Sequence, residues 1–499
     1  MCRLPRLVLL ALPLLFLAAC GGGSNSQSST TTPPPVMVQT VPTTQISTDT
    51  FTNSGSQHAT EVETHALGVG NTIVSTFQVA RIFSGGGADI GWATSTNAGA
   101  TWTNGFLPGI TIFDGGSFSA ASDPVVAYDA AHAVWMISTL PIGPDTVAVS
   151  RSSDGLNWGN PIVVSQTSDS DKNWIVCDNT VASPFYGHCY MEWDDPTQGG
   201  LVWMTTSTDG GLTWSSAQNT ADLANGIGGQ PVVQPNGTVI VPIEATTGTN
   251  MLSFSSTNGG ASWNASLVIA SITDHLVAGS LRTSALPSAI ADAGGMVYVV
   301  WQDCRFRNAC TSNDIVLSTS TDGNTWLAPA RIPIDATSST ADHFIGSLGI
   351  DPATSGGSAH LGLTYYYYPD ANCTSSTCQL IASFVSSTDG GITWSTPSAL
   401  AGPMLPSWLP NTFAGLMVGD YVSTPFAAGK AFPIIAAATA NSGALFDEPI
   451  FTVSTGFAMN RNVATTSSVS ERPVAKAHSD HPPQAFYDQE HRYPRPPEN

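Results

Sequence analysis

A turn-like segment of seven or eight residues recurs six times along the chain, and this recurrence constrains the fold more than any other feature. The copies are STNAGATW (95–102), SSDGLNW (152–158), STDGGLTW (207–214), STNGGASW (256–263), STDGNTW (320–326) and STDGGITW (387–394). Asp or Asn accepts local backbone N–H groups, Gly supplies positive φ, and Trp fills apolar space between neighbouring repeats. The Trp-to-Trp spacings of 56, 56, 49, 63 and 68 residues indicate a propeller or a solenoid.

The apolar runs between these turns predict short β-strands. Three runs precede each turn and one follows it; around the third turn they cover 173–178, 187–193 and 201–206, and then begin again at Trp214. A seventh triplet without a turn covers 416–421, 431–437 and 450–454. The pattern predicts an all-β β-propeller with six or seven four-stranded blades, whose radial arrangement leaves only short sheet edges.

The repeated turn resembles the Asp box, or bacterial neuraminidase repeat, of the sialidase-like β-propellers. The resemblance extends over residues 55–465 and implies a propeller of sialidase-like type with six Asp boxes. Asp boxes also occur in propellers that are not sialidases, so the motif specifies the fold more strongly than it specifies an activity.

The N-terminus reads as a targeting segment. Arg3 and Arg6 precede an apolar run from Leu7 to Leu17, and the following LAAC resembles a bacterial lipobox that ends at Cys20. We expect a signal peptide at 1–19, lipidation of Cys20, and a Gly/Ser/Thr/Pro tether over 20–45. The alternative is an ordinary signal peptide with an incidental Cys. The propeller is assigned to 46–465 and a disordered tail to 466–499. These features predict the bacterial cell envelope, with a lipid anchor at the outer membrane, or an extracellular location.

Six further cysteines fall into three close pairs. They are Cys177 with Cys189, Cys304 with Cys310, and Cys373 with Cys378. An exported protein lies in an oxidising compartment, so three local disulfides are the simplest interpretation, although six Cys allow 15 connectivities. A zinc site is the alternative, but no CxxC motif is present.

The charge balance restricts the ligands that the chain can bind. It carries 15 Lys and Arg against 36 Asp and Glu, for a formal charge of −21, which excludes a nucleic-acid partner. Nine basic residues lie between 46 and 465, and five follow inner strands or crossovers on one predicted face: Arg81, Lys172, Arg282, Arg305 and Arg307. Clustered Arg favours an anionic ligand. Equally, these Arg can pair with neighbouring Asp, as Asp303 beside Arg305 suggests.

The resemblance to sialidases implies roles for residues on this face. In that family three Arg hold a substrate carboxylate, an Asp is the acid/base, and a Glu activates a nucleophilic Tyr. The implied substrate-binding residues are Arg81, Arg282, Arg305 and Arg307. The implied catalytic residues are Asp89, Glu244 and Tyr365, with Tyr366–Tyr368 or Tyr421 as other choices for the nucleophile. The chain departs from the family because residues 60–65 lack the first-blade Arg-Ile-Pro motif, and its only copy, Arg331–Pro333, follows the fifth box.

Three functional hypotheses follow. The first is a surface-anchored exo-glycosidase that acts on sialic acid or another acidic glycan through a diverged site. The second is a non-catalytic propeller that binds a glycan or a surface protein. The third is a structural or assembly lipoprotein. We expect a monomer that contacts the membrane through its lipid anchor only and needs no cofactor or metal. A calcium site at Asp169/Asp171 or Asp194/Asp195 is a side hypothesis, against which solvated turns are the simpler interpretation.

Overall fold

A computed structural model describes residues 39, 41–167 and 169–459. The predicted signal peptide, Cys20, most of the tether and the predicted tail lie outside the described residues. Within the described ranges the chain is almost entirely β-structure, and no helix there has the length and apolar character needed to cross a bilayer.

The N-terminal half is built from successive antiparallel sheets in which each strand pairs with the next. A single backbone pairing, Gly87 with Ala121, connects the first sheet (β2–β5) to the second (β6–β9), and the third sheet holds β10–β12. The strands are Thr43–Gln45 (β1), Glu61–Val69 (β2), Thr72–Arg81 (β3), Gly87–Ser95 (β4), Thr103–Phe106 (β5), Ala120–Asp129 (β6), Val134–Ile142 (β7), Thr146–Ser152 (β8), Ile162–Gln166 (β9), Asp171–Cys177 (β10), Cys189–Asp195 (β11) and Leu201–Ser207 (β12).

The next three sheets repeat this arrangement. In the fourth sheet β13 and β14 both pair with β15, followed by β16 and β17; the fifth sheet holds β18–β21 and the sixth holds β22–β25. The strands are Gly226–Ile227 (β13), Val232–Val233 (β14), Val239–Ala245 (β15), Asn250–Ser256 (β16), Leu267–Ser271 (β17), Ser288–Ala291 (β18), Val297–Asp303 (β19), Asp314–Ser320 (β20), Ala330–Arg331 (β21), Asp342–Ile350 (β22), Leu361–Tyr368 (β23), Leu380–Ser387 (β24) and Ser398–Met404 (β25).

The C-terminal part of the described chain consists of short strands and closes against the N-terminus. Its strands are Asn411–Thr412 (β26), Gly415–Leu416 (β27), Phe426–Ala427 (β28), Lys430–Ala431 (β29), Ile434–Ala436 (β30), Ile450–Val453 (β31) and Phe457–Ala458 (β32). The residues that the structure describes also form five single-turn 3₁₀ helices, at Ile112–Asp114, Pro196–Gln198, Asn308–Cys310, Gly356–Ser358 and Pro406–Trp408. Strand β1 pairs with β31, so residues 43–45, which the sequence analysis placed in the tether, belong to the folded part. Backbone pairing to a distant strand fixes them there.

The described structure confirms the predicted all-β fold, which is built from successive antiparallel sheets. Successive meandering sheets pack face to face, and apolar clusters fill the space between them; one cluster joins Tyr190 and Met204 of the third sheet to Val241 and Phe254 of the fourth. The choice between six and seven blades stays a prediction. The three predicted disulfides, Cys177–Cys189, Cys304–Cys310 and Cys373–Cys378, are present.

The Asp boxes form the predicted hydrogen-bonded turns. In the third box, Asp209 Oδ1 accepts the backbone N–H groups of Leu212 and Thr213 at 3.0 and 2.9 Å, and Ser207 Oγ accepts that of Gly211 at 2.9 Å. Gly211 has a φ of 80°. In the fourth box, the buried Trp263 joins the cluster between the third and fourth sheets. The box therefore closes each hairpin and also contributes to packing between sheets.

Candidate functional site

Bulges near the start of β2, β6, β10 and β22 change the direction of the side chains there. Glu63 in β2, Asp123 in β6, Lys172 in β10 and Ile345 in β22 have φ values of 57°, 46°, 47° and 49°. The strand register shifts at the same places. An L-residue in this region costs roughly 1–2 kcal/mol, so a repeated bulge of this kind marks a place where the fold holds side chains in a required direction.

Lys172 lies at the centre of a buried charge network. Its side chain is 4% exposed, and its Nζ lies 3.0 Å from Asp123 Oδ1, 3.3 Å from Glu63 Oε1 and 4.0 Å from Asp171 Oδ1. It also contacts Asp420. Burial opposes the charge, but the carboxylates of Asp123, Asp420 and Glu63 outweigh it and raise the pKa of Lys172 well above its ordinary value. The Lys172 ammonium is therefore a permanent structural charge at neutral pH.

The network extends in two directions to predicted Arg residues. On one side, Arg282 Nε donates to Asp420 Oδ1 at 2.8 Å, and its Nη2 contacts Oδ2 of the same carboxylate. On the other side, Gln78 Nε2 donates to Glu63, and Arg81 Nη1 donates to Gln78 Oε1 at 2.7 Å. The structure thus brings Arg81 and Arg282 into one network.

The carboxyl groups of this region differ in protonation. Burial raises the pKa of Asp420, but Arg282 and Lys172 outweigh burial and lower it, so this group is ionised. Burial, followed by the charge of Asp123, raises the pKa of Glu63 well above its usual value. Burial likewise raises the pKa values of Glu192 and Asp194, the latter despite the nearby Lys172. Burial therefore disfavours the charged form of these three carboxyls, whereas the two cations beside Asp420 favour its charged form.

A pocket opens beside this network. Its wall includes the Lys172–Asp420 pair, and Lys172 is the only cationic residue among the described residues that line it. Trp174 and Tyr421 form an edge-to-face pair in the wall with ring centroids 5.3 Å apart. The amide side chains in the wall are Asn173, Gln230 and Gln302. Aromatic faces combined with a few amide groups are typical of small-molecule sites that bind polar rings.

The structure does not bring the predicted catalytic residues Asp89, Glu244 and Tyr365 together. No hydrogen bond or ion pair in the described chain joins any two of them. Asp89 lies in β4, where burial raises its pKa to about 8 and its Oδ1 accepts only the adjacent Ile90 N–H. Tyr365 is 1% exposed in the apolar cluster between the fifth and sixth sheets, and burial raises its pKa. Its side chain points into this sheet interface, which explains why it does not reach Glu244.

Arg305 and Arg307 bind neighbouring Asp residues. Arg305 Nε and Nη2 donate to Asp303 Oδ1 and Oδ2 at 2.9 and 2.6 Å. Arg307 Nε and Nη2 donate to Asp314 at 3.0 and 2.6 Å, and Nη2 also reaches Asp335 at 2.7 Å. Both contacts fit the predicted alternative, in which these Arg residues pair with neighbouring Asp residues and connect loops. All four predicted substrate-binding Arg residues therefore donate to acceptors within the protein.

In the described ranges, one group of side chains could offer ligand atoms to a metal ion. It consists of Asp314, Asp335 and His343, whose possible ligand atoms lie within 4.8 Å of one another. Arg307 and Arg331 already contact its two carboxylates, so cationic side chains neutralise the group. The calcium hypothesis for the Asp194/Asp195 segment fits poorly, since the Asp195 carboxylate accepts the backbone N–H groups that begin the 3₁₀ helix at Pro196–Gln198.

Three acids of the network, Glu63, Asp123 and Asp420, were not predicted from the sequence, whereas Lys172 was predicted on the ligand face. Each of these is a single acidic residue at the edge of an apolar run, a pattern that many strands share. For Glu63 and Asp123 the distinguishing signal is the bulge, and the bulge depends on strand register, which the sequence alone does not specify.

Part of the repeated region matches a known protein family. Residues 143–347 match the family model of the BNR repeat-like domain. This segment contains four of the six turn copies, and the match confirms the resemblance to Asp-box propellers. No curated protein matches the chain.

Several solved structures are similar to this chain over most of its length. A polysaccharide lyase family 25 ulvan lyase shares 11% identity, with 84% of this chain and 98% of that chain covered and a TM-score of 0.49. The NanB sialidase from Streptococcus pneumoniae shares 12%, with 82% and 70% covered and a TM-score of 0.43. The Hadza microbial sialidase Hz136 shares 15%, with 80% and 66% covered and a TM-score of 0.38.

Proposed function

We propose that the protein binds a neutral glycan residue in the pocket beside Lys172. The observation that carries this proposal is the composition of the pocket wall, which combines the Trp174–Tyr421 pair with the amides of Asn173, Gln230 and Gln302. Aromatic faces pack against the C–H groups of a sugar ring, and amide side chains donate to and accept from its hydroxyl groups. Both kinds of contact suit an uncharged sugar.

The charges around the pocket favour a neutral sugar over sialic acid. A carboxylate ligand needs a guanidinium with free donors, whereas Arg282 binds Asp420 through two of its nitrogens. The Lys172 ammonium is surrounded by carboxylates, and Asp420 adds a negative charge to the wall. An acidic sugar would meet like charge at this wall and pay the cost of desolvation without a compensating partner.

The decisive experiment compares matched glycans. The full chain is applied to a panel of sialylated glycans and their desialylated counterparts, with Trp174→Ala as the pocket variant and Trp203→Ala as the control. Both Trp residues pack at the edge of the same apolar cluster, but only Trp174 lines the pocket. We expect desialylated glycans to bind and Trp174→Ala to weaken binding about tenfold, since stacking on an aromatic ring is worth about 1–1.5 kcal/mol.

Other results would reject this assignment. Preferential binding of the sialylated glycans would support an acidic glycan as the ligand. Turnover of a fluorogenic sialoside that is lost in Arg282→Ala would support the sialidase hypothesis. Binding of no glycan at all would remove the proposed function. Thermal unfolding of each variant shows whether a loss of binding reflects a loss of fold.

A lipid anchor at Cys20 would hold this binding activity at the cell envelope. We propose that Cys20 carries the lipid and that a Gly/Ser/Thr/Pro segment separates it from β1. Metabolic labelling with an alkyne fatty acid should mark the wild-type chain and not Cys20→Ser. Equal labelling of both would contradict the anchor.

A further inference from the structure

Three amide side chains from three successive sheets line the pocket. Asn173 lies in β10, Gln230 lies between β13 and β14, and Gln302 lies in β19. Each of these residues is at most 6% exposed, so the protein or a ligand has to satisfy both ends of each amide. The nitrogen of an amide only donates, and its oxygen only accepts. The end that faces the pocket therefore decides which groups a ligand must offer there.

The nitrogen ends of Asn173 and Gln302 are bound within the protein. Gln302 Nε2 donates to Asp274 Oδ1 at 3.0 Å, and Asn173 Nδ2 donates to Ser138 Oγ at 2.6 Å. The Ser138 hydroxyl in turn donates to the Val125 carbonyl at 3.4 Å, so its oxygen is the atom that meets Asn173. A carboxylate oxygen is likewise an acceptor, and Gln302 must present its nitrogen to it. These contacts fix the orientation of both amides.

The oxygen ends of the same two amides have no protein donor. Asn173 Oδ1 and Gln302 Oε1 are buried, and no hydrogen bond from the described residues reaches either atom. A buried acceptor that is left unpaired destabilises a folded chain. Two such acceptors in one pocket wall are expected where the ligand itself supplies the donors.

Gln230 is oriented in the opposite way. Its Oε1 accepts the backbone N–H of Ala289 at 2.8 Å, which leaves its nitrogen for the pocket. Ser284 and Ser288 also line the pocket, but a hydroxyl group rotates and can either donate or accept. The fixed hydrogen-bonding pattern of the wall is therefore two acceptors and one donor.

We propose that the pocket selects its sugar through two free hydroxyl groups, which donate to Asn173 Oδ1 and Gln302 Oε1, while the Gln230 nitrogen donates to a third oxygen of the same ring. This inference rests on the proposed glycan site and makes the three amides its specificity determinants. The ligand class is a neutral sugar that is unmodified at these hydroxyls. An O-methylated or O-acetylated sugar cannot donate there and would leave the amide oxygens unpaired.

The charges of the wall favour hydroxyl donors over a cation. Amide oxygens also accept from ammonium groups and coordinate metal ions. The Lys172 ammonium, however, lies in the same wall, so a second cation would meet like charge in a partly desolvated site. Asp420, the carboxylate of this wall, already contacts both Lys172 and Arg282. A hydroxyl group donates without this repulsion.

The first test uses the wild-type full chain and needs no variant. Isothermal titration calorimetry measures binding of the methyl glycosides of galactose, glucose and mannose, and then of the monodeoxy, monodeoxyfluoro and mono-O-methyl analogues of each glycoside that binds. Neither fluorine nor a methoxy group can donate a hydrogen bond. We therefore expect all three changes to weaken binding about tenfold or more at the same two ring positions.

The second test connects each hydroxyl group to one amide. Gln302→Met and Asn173→Leu each remove one acceptor while keeping most of the side-chain volume. Each variant should bind the parent glycoside about tenfold more weakly and lose discrimination at one ring position while keeping it at the other. Gln218→Met is the control, since this half-buried amide does not line the pocket, and it should change neither quantity. Thermal unfolding of each variant reports on its fold.

The outcomes separate this inference from the proposed function. A wild-type chain that binds a neutral glycoside and its fluoro and O-methyl analogues with equal affinity would overturn the inference and leave the glycan site in place. Binding that needs Ca²⁺ and is lost in EDTA would also overturn it, because the amide oxygens would then hold a metal ion. Variants that bind more weakly but still discriminate at both positions would show that these amides only support the fold. Binding of none of the glycosides would reject the proposed function together with this inference.

Discussion

Replacement of Lys172 by Met should destabilise the protein more than any other single Lys substitution in the described chain. Met preserves most of the apolar volume of the side chain, so the change isolates the charge. The ammonium lies within 4.0 Å of Glu63, Asp123 and Asp171 and also contacts Asp420. Removing one partner of a buried ion pair costs about 3–5 kcal/mol, because the remaining charge stays buried without compensation.

The other contacts of each acid indicate how much of the free energy of unfolding is lost when Lys172 is replaced. Asp420 keeps its contacts with Arg282, and burial already raises the pKa of Glu63 well above its usual value. Asp123 loses its only cationic contact that the structure shows, and this loss dominates. We therefore expect the free energy of unfolding at pH 7 to fall by about 3 kcal/mol or more. The loss should shrink at acidic pH, since protons can then neutralise the carboxylates.

The measurement is urea unfolding at pH 7 and pH 5, with Lys430→Met as the matched control. Lys430 is exposed, and its Nζ donates to a single carbonyl, that of Thr455, at 3.4 Å. Its substitution should change the free energy of unfolding by less than about 0.5 kcal/mol. If Lys172→Met falls within 1 kcal/mol of this control at pH 7, the network contributes little to stability and the reasoning is refuted.

Three further substitutions test other parts of the structure by the same unfolding assay. Burial, with the charges of Asp49 and Asp447, raises the pKa of Glu61 to about 8, so the folded chain holds a proton that the unfolded chain releases above about 4.5. The free energy of unfolding should therefore fall as the pH rises from 4.5 to 8. Glu61→Gln should remove this fall, and an unchanged slope in the variant would contradict the assignment. Asp209→Ala should cost about 1 kcal/mol through its lost turn hydrogen bonds, and a neutral effect would show that the Asp box is dispensable locally. Arg307→Lys should cost about 2 kcal/mol, because an ammonium cannot form the two parallel bonds to Asp314; equal stability would show that charge alone suffices.

The fold was predictable because its signals are local and repeated. The Asp209 turn needs only an acceptor, a Gly and a following Trp within eight residues. Its six copies give the spacing of the structural repeats. The disulfides were predictable for the same reason, since each closes a short segment. The start of the folded part was predicted a few residues too late. Strand β1 lies in a Thr-rich segment without an apolar pattern, and its pairing with β31 joins residues about 400 positions apart.

The site was less predictable, because its residues meet only through tertiary structure. Arg81 and Arg282 share a network, but the acceptor of Arg282 is Asp420, which lies 138 positions away in the sequence. Tyr365 matched the residue type that the family resemblance requires, yet its strand directs it into the interface between two sheets. A residue type at the end of a strand predicts a face of the propeller and leaves the direction of the side chain open.

The buried network also offers a physical reason why the inner strands tolerate strained bulges. Lys172 from the third sheet contacts Glu63 from the first, Asp123 from the second and Asp420 from the segment between β27 and β28. One side chain thus connects four parts of the chain, including the first sheet and the C-terminal segment near which the fold closes. Without the bulges, strand alternation would direct these side chains elsewhere, and the carboxylates would be buried without a cation. The strain of about 1–2 kcal/mol at one bulge is smaller than the cost of about 3–5 kcal/mol for one orphaned charge, so a bulge that brings a carboxylate to Lys172 is outweighed by the contact that it makes possible.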